Sequence, residues 1–272
     1  MEISLFNVGG ACCLLHIDNT LMIGIDPFLA PAGTVTEGRF MTSERLTSPA
    51  YVEEDWKAVD FWLITHGHFD HLDDEGLHRV NRNVPVIIEP KLQKRLAGFH
   101  SVKPLKWNES ELMRAKGYEV NITAVPAYHG SSRLTLLAAG AVNGYLLTVK
   151  KNGDCRRVYF TSDTVYRKEV LQALEGTAID IMIANMGEVL KGKPGGPLTL
   201  SLTMLEKLHA ELNPGLTVPI HNDDYSHYFP VKEQAFRDKG FRIVKKAHGR
   251  PCKPSLFFYQ IRHTAVIFIM PI

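Results

Sequence analysis

The sequence predicts a single α/β domain in which sheets are covered by helices. Three observations carry that expectation. The first half is rich in short apolar runs of strand length, and the second half alternates such runs with helical periods. No repeat, low-complexity tract or linker interrupts the succession. A length of 272 residues allows one large domain or two small ones, and 45% apolar residues are ample for a packed core.

The elements follow in order. Residues 3–8, 11–17 and 20–25 read as strands separated by the turn signals Gly9-Gly10 and Asp18-Asn19. Residues 27–58 carry Pro, Gly, Thr and Ser without a period and read as a long loop, a feature usually tied to function or mobility. A buried strand at 61–64 precedes a His-rich segment; a short helix at 73–80, a strand at 84–88 and a helix at 91–97 come next. Residues 120–125 alternate as a strand does. Strands at 145–150 and 157–161 flank Asn152-Gly153, the preferred pair for a type I′ hairpin turn. A helix at 169–174 and an apolar strand at 179–183 follow. Leu202, Leu205, Leu208 and Leu212 recur at helical intervals within 199–212, with Thr199 or Ser201 as the N-cap. A strand at 217–220, a helix at 231–239 and a strand at 241–244 complete the order.

Composition excludes several function classes. Lys plus Arg number 31 against 29 Asp plus Glu, a net charge of +2 that gives no electrostatic case for nucleic acid. Residues 1–7 lack the basic and apolar regions of a signal peptide, and no apolar stretch reaches the length of a membrane-spanning helix. The four cysteines, Cys12, Cys13, Cys155 and Cys252, form no CxxC pair and are too few for a disulfide scaffold, so a reducing, cytoplasmic location is expected.

The informative residue is histidine. His66-Gly67-His68-Phe69-Asp70-His71 places three imidazoles and a carboxylate in six residues directly after an apolar strand. At this chain's composition such a string arises by chance in roughly one chain in a thousand. Imidazole with carboxylate suits zinc, iron or manganese. Residues two apart on a strand share a face, so His66 and His68 are expected to chelate one ion, and a turn would swing Asp70 and His71 toward a second. Six residues cannot enclose two ions, so further ligands must come from other strand ends. His129 follows the strand at 120–125, Asp163 the strand at 157–161, and His221 the strand at 217–220.

With those residues in place the chain resembles the metallo-β-lactamase fold superfamily, marked by HxHxDH followed by isolated His, Asp and His, over residues 3–247. The strings THGHFDHLD, FTSDT and VPIHNDDYSHY look like the branch of ascorbate-phosphate lactonases and N-acyl-phosphatidylethanolamine phospholipases. The resemblance implies a four-layer αββα sandwich across residues 1–247, with residues 248–272 as a tail. It implies that His66, His68 and His129 hold one divalent ion, that Asp70, His71 and His221 hold a second, and that Asp163 bridges them. It also places Asp26 behind the His-rich loop, where such a group commonly receives a ligand imidazole's other N–H. Where family members often have Gly-Asp-Thr, this chain has Ser162-Asp163-Thr164.

Two ions sharing one water make hydroxide available near neutral pH. The expected reaction is therefore hydrolysis of a small-molecule ester, lactone or phosphodiester by a metal-bridging hydroxide, with zinc as the expected metal and manganese or iron compatible with the same donors. Asp70 and Asp163 carry the catalytic expectation. His227, six residues after His221, is expected to line the pocket and give a proton to a leaving group. Tyr128 and Asn185 are expected near the substrate. His16, His78, His100, His209, His248 and His263 lack ligand-like context, and Arg156-Arg157 and Lys245-Lys246 read as solvated edges. RNA-processing relatives carry an extra arm that this sequence lacks, so a small molecule is the expected partner. The mostly apolar stretch 255–272 is too short to span a bilayer and is expected to pack on the domain or on a second subunit, which leaves a homo-oligomer open. Two other classes stay in view: a di-iron oxidoreductase of the same fold, and a non-catalytic metal-binding protein.

Overall fold

The computed structural model describes residues 1–37, 42–193 and 195–244. Strands β1 (Ile3–Gly9), β2 (Cys12–Ile17), β3 (Leu21–Ile25), β4 (Val35–Glu37), β5 (Thr42–Glu44), β6 (Phe61–Ile64) and β7 (Val86–Ile88) occupy the first part of the chain. They are followed by β8 (Val102–Pro104), β9 (Ser110–Ala115), β10 (Tyr118–Ala127), β11 (Val142–Lys151), β12 (Asp154–Phe160), β13 (Ile181–Asn185) and β14 (Leu216–Ile220). Helices are α1 (Glu53–Lys57), α2 (Asp74–Arg79), α3 (Arg133–Ala139), α4 (Lys168–Ala173), α5 (Leu202–Leu212) and α6 (Glu233–Asp238).

Two six-stranded sheets form, ordered β1-β2-β3-β6-β7-β8 and β14-β13-β12-β11-β10-β9, with β4 and β5 as a separate hairpin. Strand alternation decides what each face buries. On β6, Phe61 and Leu63 point into the space between the sheets, where they meet Tyr118, Val120 and Ile122 of the second sheet. Trp62 and Ile64 point the other way, into a cluster with Trp56 of α1 and Leu92. On β13, Ile181 and Ile183 join the central layer, while Met182 and Ala184 pack under Val170 of α4, Leu205 and Leu208 of α5 and Phe236 of α6. Helices therefore cover both outer faces. The result is the αββα sandwich.

Most expected elements are found within a few residues. The Asn152-Gly153 turn has both residues at positive φ, 50° and 87°, as a type I′ turn requires. Ser201 caps α5 by accepting from Met204 N–H at 3.2 Å. Other expectations need correction. The segment 27–58 is not all loop: it contains the β4–β5 hairpin and α1, whose short, mostly polar strands give no alternation to read. The helix expected at 91–97 is a 3-10 turn at Pro90–Lys94, capped by the Glu89 carboxylate on Lys91 N–H. Residues 241–244 form no strand; Gly240 turns the chain at φ 77°, and Arg242 N–H donates to Thr217 O. Strands β8 and β9 and helix α3 were not foreseen. The tail at 248–272, with His248, Cys252 and His263, and Lys245-Lys246 lie outside the described residues.

The two sheets are tied at one edge. Asn143 N–H of β11 donates to Thr65 O at 3.0 Å, and Tyr145 Oη donates to Ile64 O at 3.0 Å, so the second sheet grips the end of β6 directly. Across the other flank His221 N–H donates to Gly10 O at 3.1 Å. Among the described residues no helix is long and apolar enough to cross a membrane.

His16 of β2 gives a test of the packing. Burial and nearby Lys116 push its imidazole down from 6.5 to about 4, and its Nε2 has no partner. The unfolded chain takes up a proton near 6.5 while the native state does not, so this group withdraws stability as pH falls from 6.5 toward 4. His16→Gln should lose less stability than the wild type between pH 7 and about pH 4 in urea unfolding. Equal losses would contradict the assignment.

Candidate metal centre

The edge held by these clamps is where the C-terminal ends of β3, β6, β10, β12, β13 and β14 gather. Three of these strands are left through a polar residue in a left-handed backbone conformation. Asp26 after β3, Ser162 after β12 and His221 after β14 all have positive φ, at 47°, 54° and 57°. Such backbone costs energy in non-glycine residues and concentrates at functional sites. His66 and His68 follow directly after β6, as expected, but not with the strand geometry from which their shared face was argued. They lie in the loop beyond it, and a turn with His71 N–H and Leu72 N–H on His68 O at 3.0 and 2.9 Å folds that loop back.

All seven expected ligand residues converge. His66 Nε2 lies 3.0 Å from His68 Nδ1, and His129 Nε2 lies 3.1 Å from the same atom. Asp70, His71 and His221 form a second group in which ligand atoms fall within 4.8 Å of one another. Asp163 stands between the groups. Its Oδ1 is 3.2 Å from His71 Nε2 and 3.9 Å from His221 Nε2, while its Oδ2 is 3.7 Å from His129 Nε2 and 4.0 Å from His66 Nε2. Apart from half-buried His68, every member is buried.

The orientation of the rings is set from behind. Asp26 accepts from Thr65 N–H at 2.7 Å and from Thr65 Oγ1 at 2.7 Å, and its Oδ2 receives His71 Nδ1–H at 2.6 Å. Because the Thr65 proton goes to Asp26, Thr65 Oγ1 accepts from His66 Nδ1–H at 3.0 Å. His129 Nδ1–H donates to Leu198 O at 2.9 Å, and His221 Nδ1–H to Met186 O at 3.1 Å. Four rings thus spend Nδ1 on the scaffold and turn Nε2 inward. His71 Nε2 is buried without a hydrogen-bond partner, its approach to Asp163 lacking hydrogen-bond geometry. Asn185 Nδ2 donates to Asp163 Oδ1 at 2.9 Å, which places this expected substrate contact behind the carboxylate.

Electrostatics agree. Burial pushes His66 and His129 down and His68 to about 4, and neighbouring histidines push the same way. Burial alone would raise the Asp70 and Asp163 carboxyls, but hydrogen bonds from His221 and His227 at Asp70, and the facing His71 and His221 at Asp163, hold both well below the usual carboxylate range. Burial opposes charge on His71, yet Asp163 and Asp26 raise it well above its ordinary value. A proton there occupies the ground a cation would take. Converging imidazole nitrogens with two ionised carboxylates are the donor set of a divalent metal site, and the residues present fit one.

His227 points Nε2 at Asp70 Oδ2 from 3.6 Å, its ring held among Phe69, Tyr225 and Tyr228. Tyr128, next to His129, is half-buried, with the Trp107 ring tilted against it and the Arg167 guanidinium over its ring. Sequence reasoning missed Tyr228, whose Oη donates to Asp70 Oδ2 at 3.0 Å and lies 2.6 Å from His221 Nε2. Its signal was adjacency to His227; what brings it in is the turn in which Tyr228 N–H donates to Tyr225 O.

Comparisons with known proteins place this chain among relatives. A family model described as "Beta-lactamase superfamily domain" matches residues 22–222. A metal-dependent hydrolase of Archaeoglobus fulgidus is 26% identical over 246 residues, 89% of this chain and 90% of that protein. The N-acyl-phosphatidylethanolamine-hydrolyzing phospholipase D 1 of Caenorhabditis elegans is 27% identical over 168 residues, 58% of this chain and 45% of that protein. Among solved structures, a possible metal-dependent hydrolase from Veillonella parvula has a TM-score of 0.75 at 17% identity, covering 92% of this chain and 98% of that one. An isothiocyanate hydrolase from Delia radicum gut bacteria has a TM-score of 0.74 at 20% identity, covering 91% and 97%.

Two substitutions test the framework. Asp26→Ala strands Thr65 N–H and His71 Nδ1 in the interior and should cost about 3–5 kcal/mol in denaturant unfolding of metal-free protein; a loss under about 1 kcal/mol would contradict it. Ser162 combines a left-handed backbone with a buried, unpartnered Oγ. Ser162→Gly relieves both and should raise stability by about 1 kcal/mol in the same assay.

Proposed function

Because the chain belongs to the β-lactamase superfamily, we propose that it is a metal-dependent hydrolase of the metallo-β-lactamase fold working with two divalent ions on a small-molecule ester, lactone or phosphodiester. The observation that carries this reading is Asp163, one oxygen toward His71 and His221 and the other toward His66 and His129. His66, His68 and His129 would hold one ion, Asp70, His71 and His221 the other, and Asp163 would join them. Zinc is the metal of choice, with manganese and iron accommodated by the same donors. When bound, the pair supplies Lewis acidity and an acidified water.

The remaining roles belong to this chain's own side chains. Asp26 and Thr65 fix the ring planes of His71 and His66, and Asn185 fixes Asp163. Asp70 Oδ2, reached by Tyr228 Oη and facing His227 Nε2, is the acceptor at which a proton is held during attack on the substrate. His227 Nε2 faces the same space and serves the leaving oxygen. Tyr128, in contact with Trp107, borders the substrate. No Ser or Cys nucleophile is called for. The free thiols Cys12, Cys13 and Cys155 fit a reducing compartment, and we assign the protein to the cytoplasm on that basis.

The deciding experiment is metal content per chain, with hydrolysis of lactone, thioester and bis(4-nitrophenyl) phosphate panels measured on the same preparation. About two ions per chain and turnover of one class are expected. Two irons without hydrolysis would move the chemistry to redox, and no metal after reconstitution would overturn the ligand assignment. Asp163→Ala should abolish turnover and weaken retention of the second ion; wild-type turnover with full metal content would exclude the bridging role.

A further inference from the structure

One buried hydroxyl outside the ligand set reaches into this site. Ser43, in the middle of β5, is 1% exposed, and its Oγ contacts His227 Nδ1. The same Oγ lies 3.5 Å from Ser226 Oγ, which itself accepts from Glu44 N–H at 2.9 Å. Backbone bonds fasten the hairpin here: Ser226 N–H donates to Glu44 O at 2.9 Å and Leu46 N–H to Asp224 O at 2.8 Å. The β4–β5 hairpin therefore stands directly behind the His227 ring.

The direction of the Ser43 bond follows from what each partner can do. The other ring nitrogen, Nε2, faces Asp70 Oδ2, and a carboxylate oxygen only accepts. Nε2 must then carry the proton, because a lone pair turned on a carboxylate is repelled. In the neutral imidazole that leaves Nδ1 as the acceptor and Ser43 as the donor. The hydroxyls line up in one sense: Glu44 N–H to Ser226 Oγ, Ser226 O–H toward Ser43 Oγ, Ser43 O–H to His227 Nδ1. At Nδ1 this is the reverse of His66, His71, His129 and His221, which donate from that nitrogen to the scaffold.

We infer that Ser43 is a positioning residue whose hydroxyl fixes His227 as an Nε2–H donor aimed into the site, so that His227 serves a substrate oxygen and is not a metal ligand. The inference rests on reading the cluster as a hydrolytic metal centre. Ser43 is not itself a nucleophile, since it is buried and its proton is spent on Nδ1. The hairpin's contribution is thus chemical: it decides which end of the imidazole a substrate meets.

The test is a long-range proton–nitrogen correlation spectrum of zinc-loaded protein labelled with ¹⁵N-histidine, with His227 assigned by its disappearance in H227Q. Wild type and S43T should show a protonated Nε2 and a lone-pair Nδ1 on His227. S43A should lose that single tautomer and shift both nitrogens toward averaged values while keeping wild-type zinc content. A protonated Nδ1 in the wild type, or unchanged His227 shifts in S43A, would overturn the role of Ser43. H227Q that loses a zinc equivalent would overturn the exclusion of His227 from the ligand set. The wild-type spectrum decides the direction of the bond even if S43A does not fold. Failure of the wild type to bind zinc would instead fail the metal-centre reading, while the metal-free spectrum still reports the Ser43–His227 bond.

Discussion

An imidazole has one proton to place when neutral, and the whole edge of this molecule is organised around where that proton goes. A ring can turn a lone pair inward only if its other nitrogen has an acceptor behind it. Asp26, Thr65 and the carbonyls of Leu198 and Met186 provide those acceptors, each from a different part of the scaffold. The cost is four imidazoles and several carboxylates in a buried space, a concentration of polar groups that no apolar packing would tolerate without partners. Their partners are backbone and side-chain groups held by the sheets, which makes the sheets' relative placement a condition for the site.

That placement is secured close to the site. Asn143 and Tyr145 reach from the second sheet to the carbonyls at the end of β6, and His221 N–H reaches back to Gly10 in the first. The central apolar layer sets the distance between sheets; these bonds set their slide. Asp73 does related work one loop away, its carboxylate accepting from Leu29, Ala30 and Gly76 N–H and so fixing α2 against the chain that leaves Asp26. Strain at Asp26, Ser162 and His221 is carried by the same framework.

Much of this was legible in the sequence, for identifiable reasons. The string from His66 to His71 is local, so its residues announce themselves. His129, Asp163 and His221 are distant but share one grammar, a polar residue just past an apolar strand, and the structure brings them to one place. Ser162, where the resemblance leads one to expect glycine, holds a φ of 54°, a backbone that glycine adopts more readily than serine. What could not be read is what depends on tertiary approach alone. Nothing in the sequence tells that Tyr228 would donate to Asp70, that Asn185 would stand behind Asp163, or that Ser43 would meet His227. The β4–β5 hairpin was hidden because its strands are three residues long and mostly polar, and α3 because it is a single short helix of seven residues. Short elements that pack on a site and not in a core leave no hydrophobic period.

The candidate ligands are divided between the sheets: residues 66–71 hang from the first, while His129, Asp163 and His221 hang from the second. A chain emerging from synthesis displays the His-rich string long before the partners that would enclose it exist. Closing such distant segments is slow and comes late in folding. Divalent ions rank by intrinsic affinity on open donors, and it is enclosure that lets geometry override that ranking. Under the proposed metal-centre reading, discrimination among metals would be postponed to the last docking of one half of the chain on the other, and the choice of ion would be a property of the finished fold rather than of the motif.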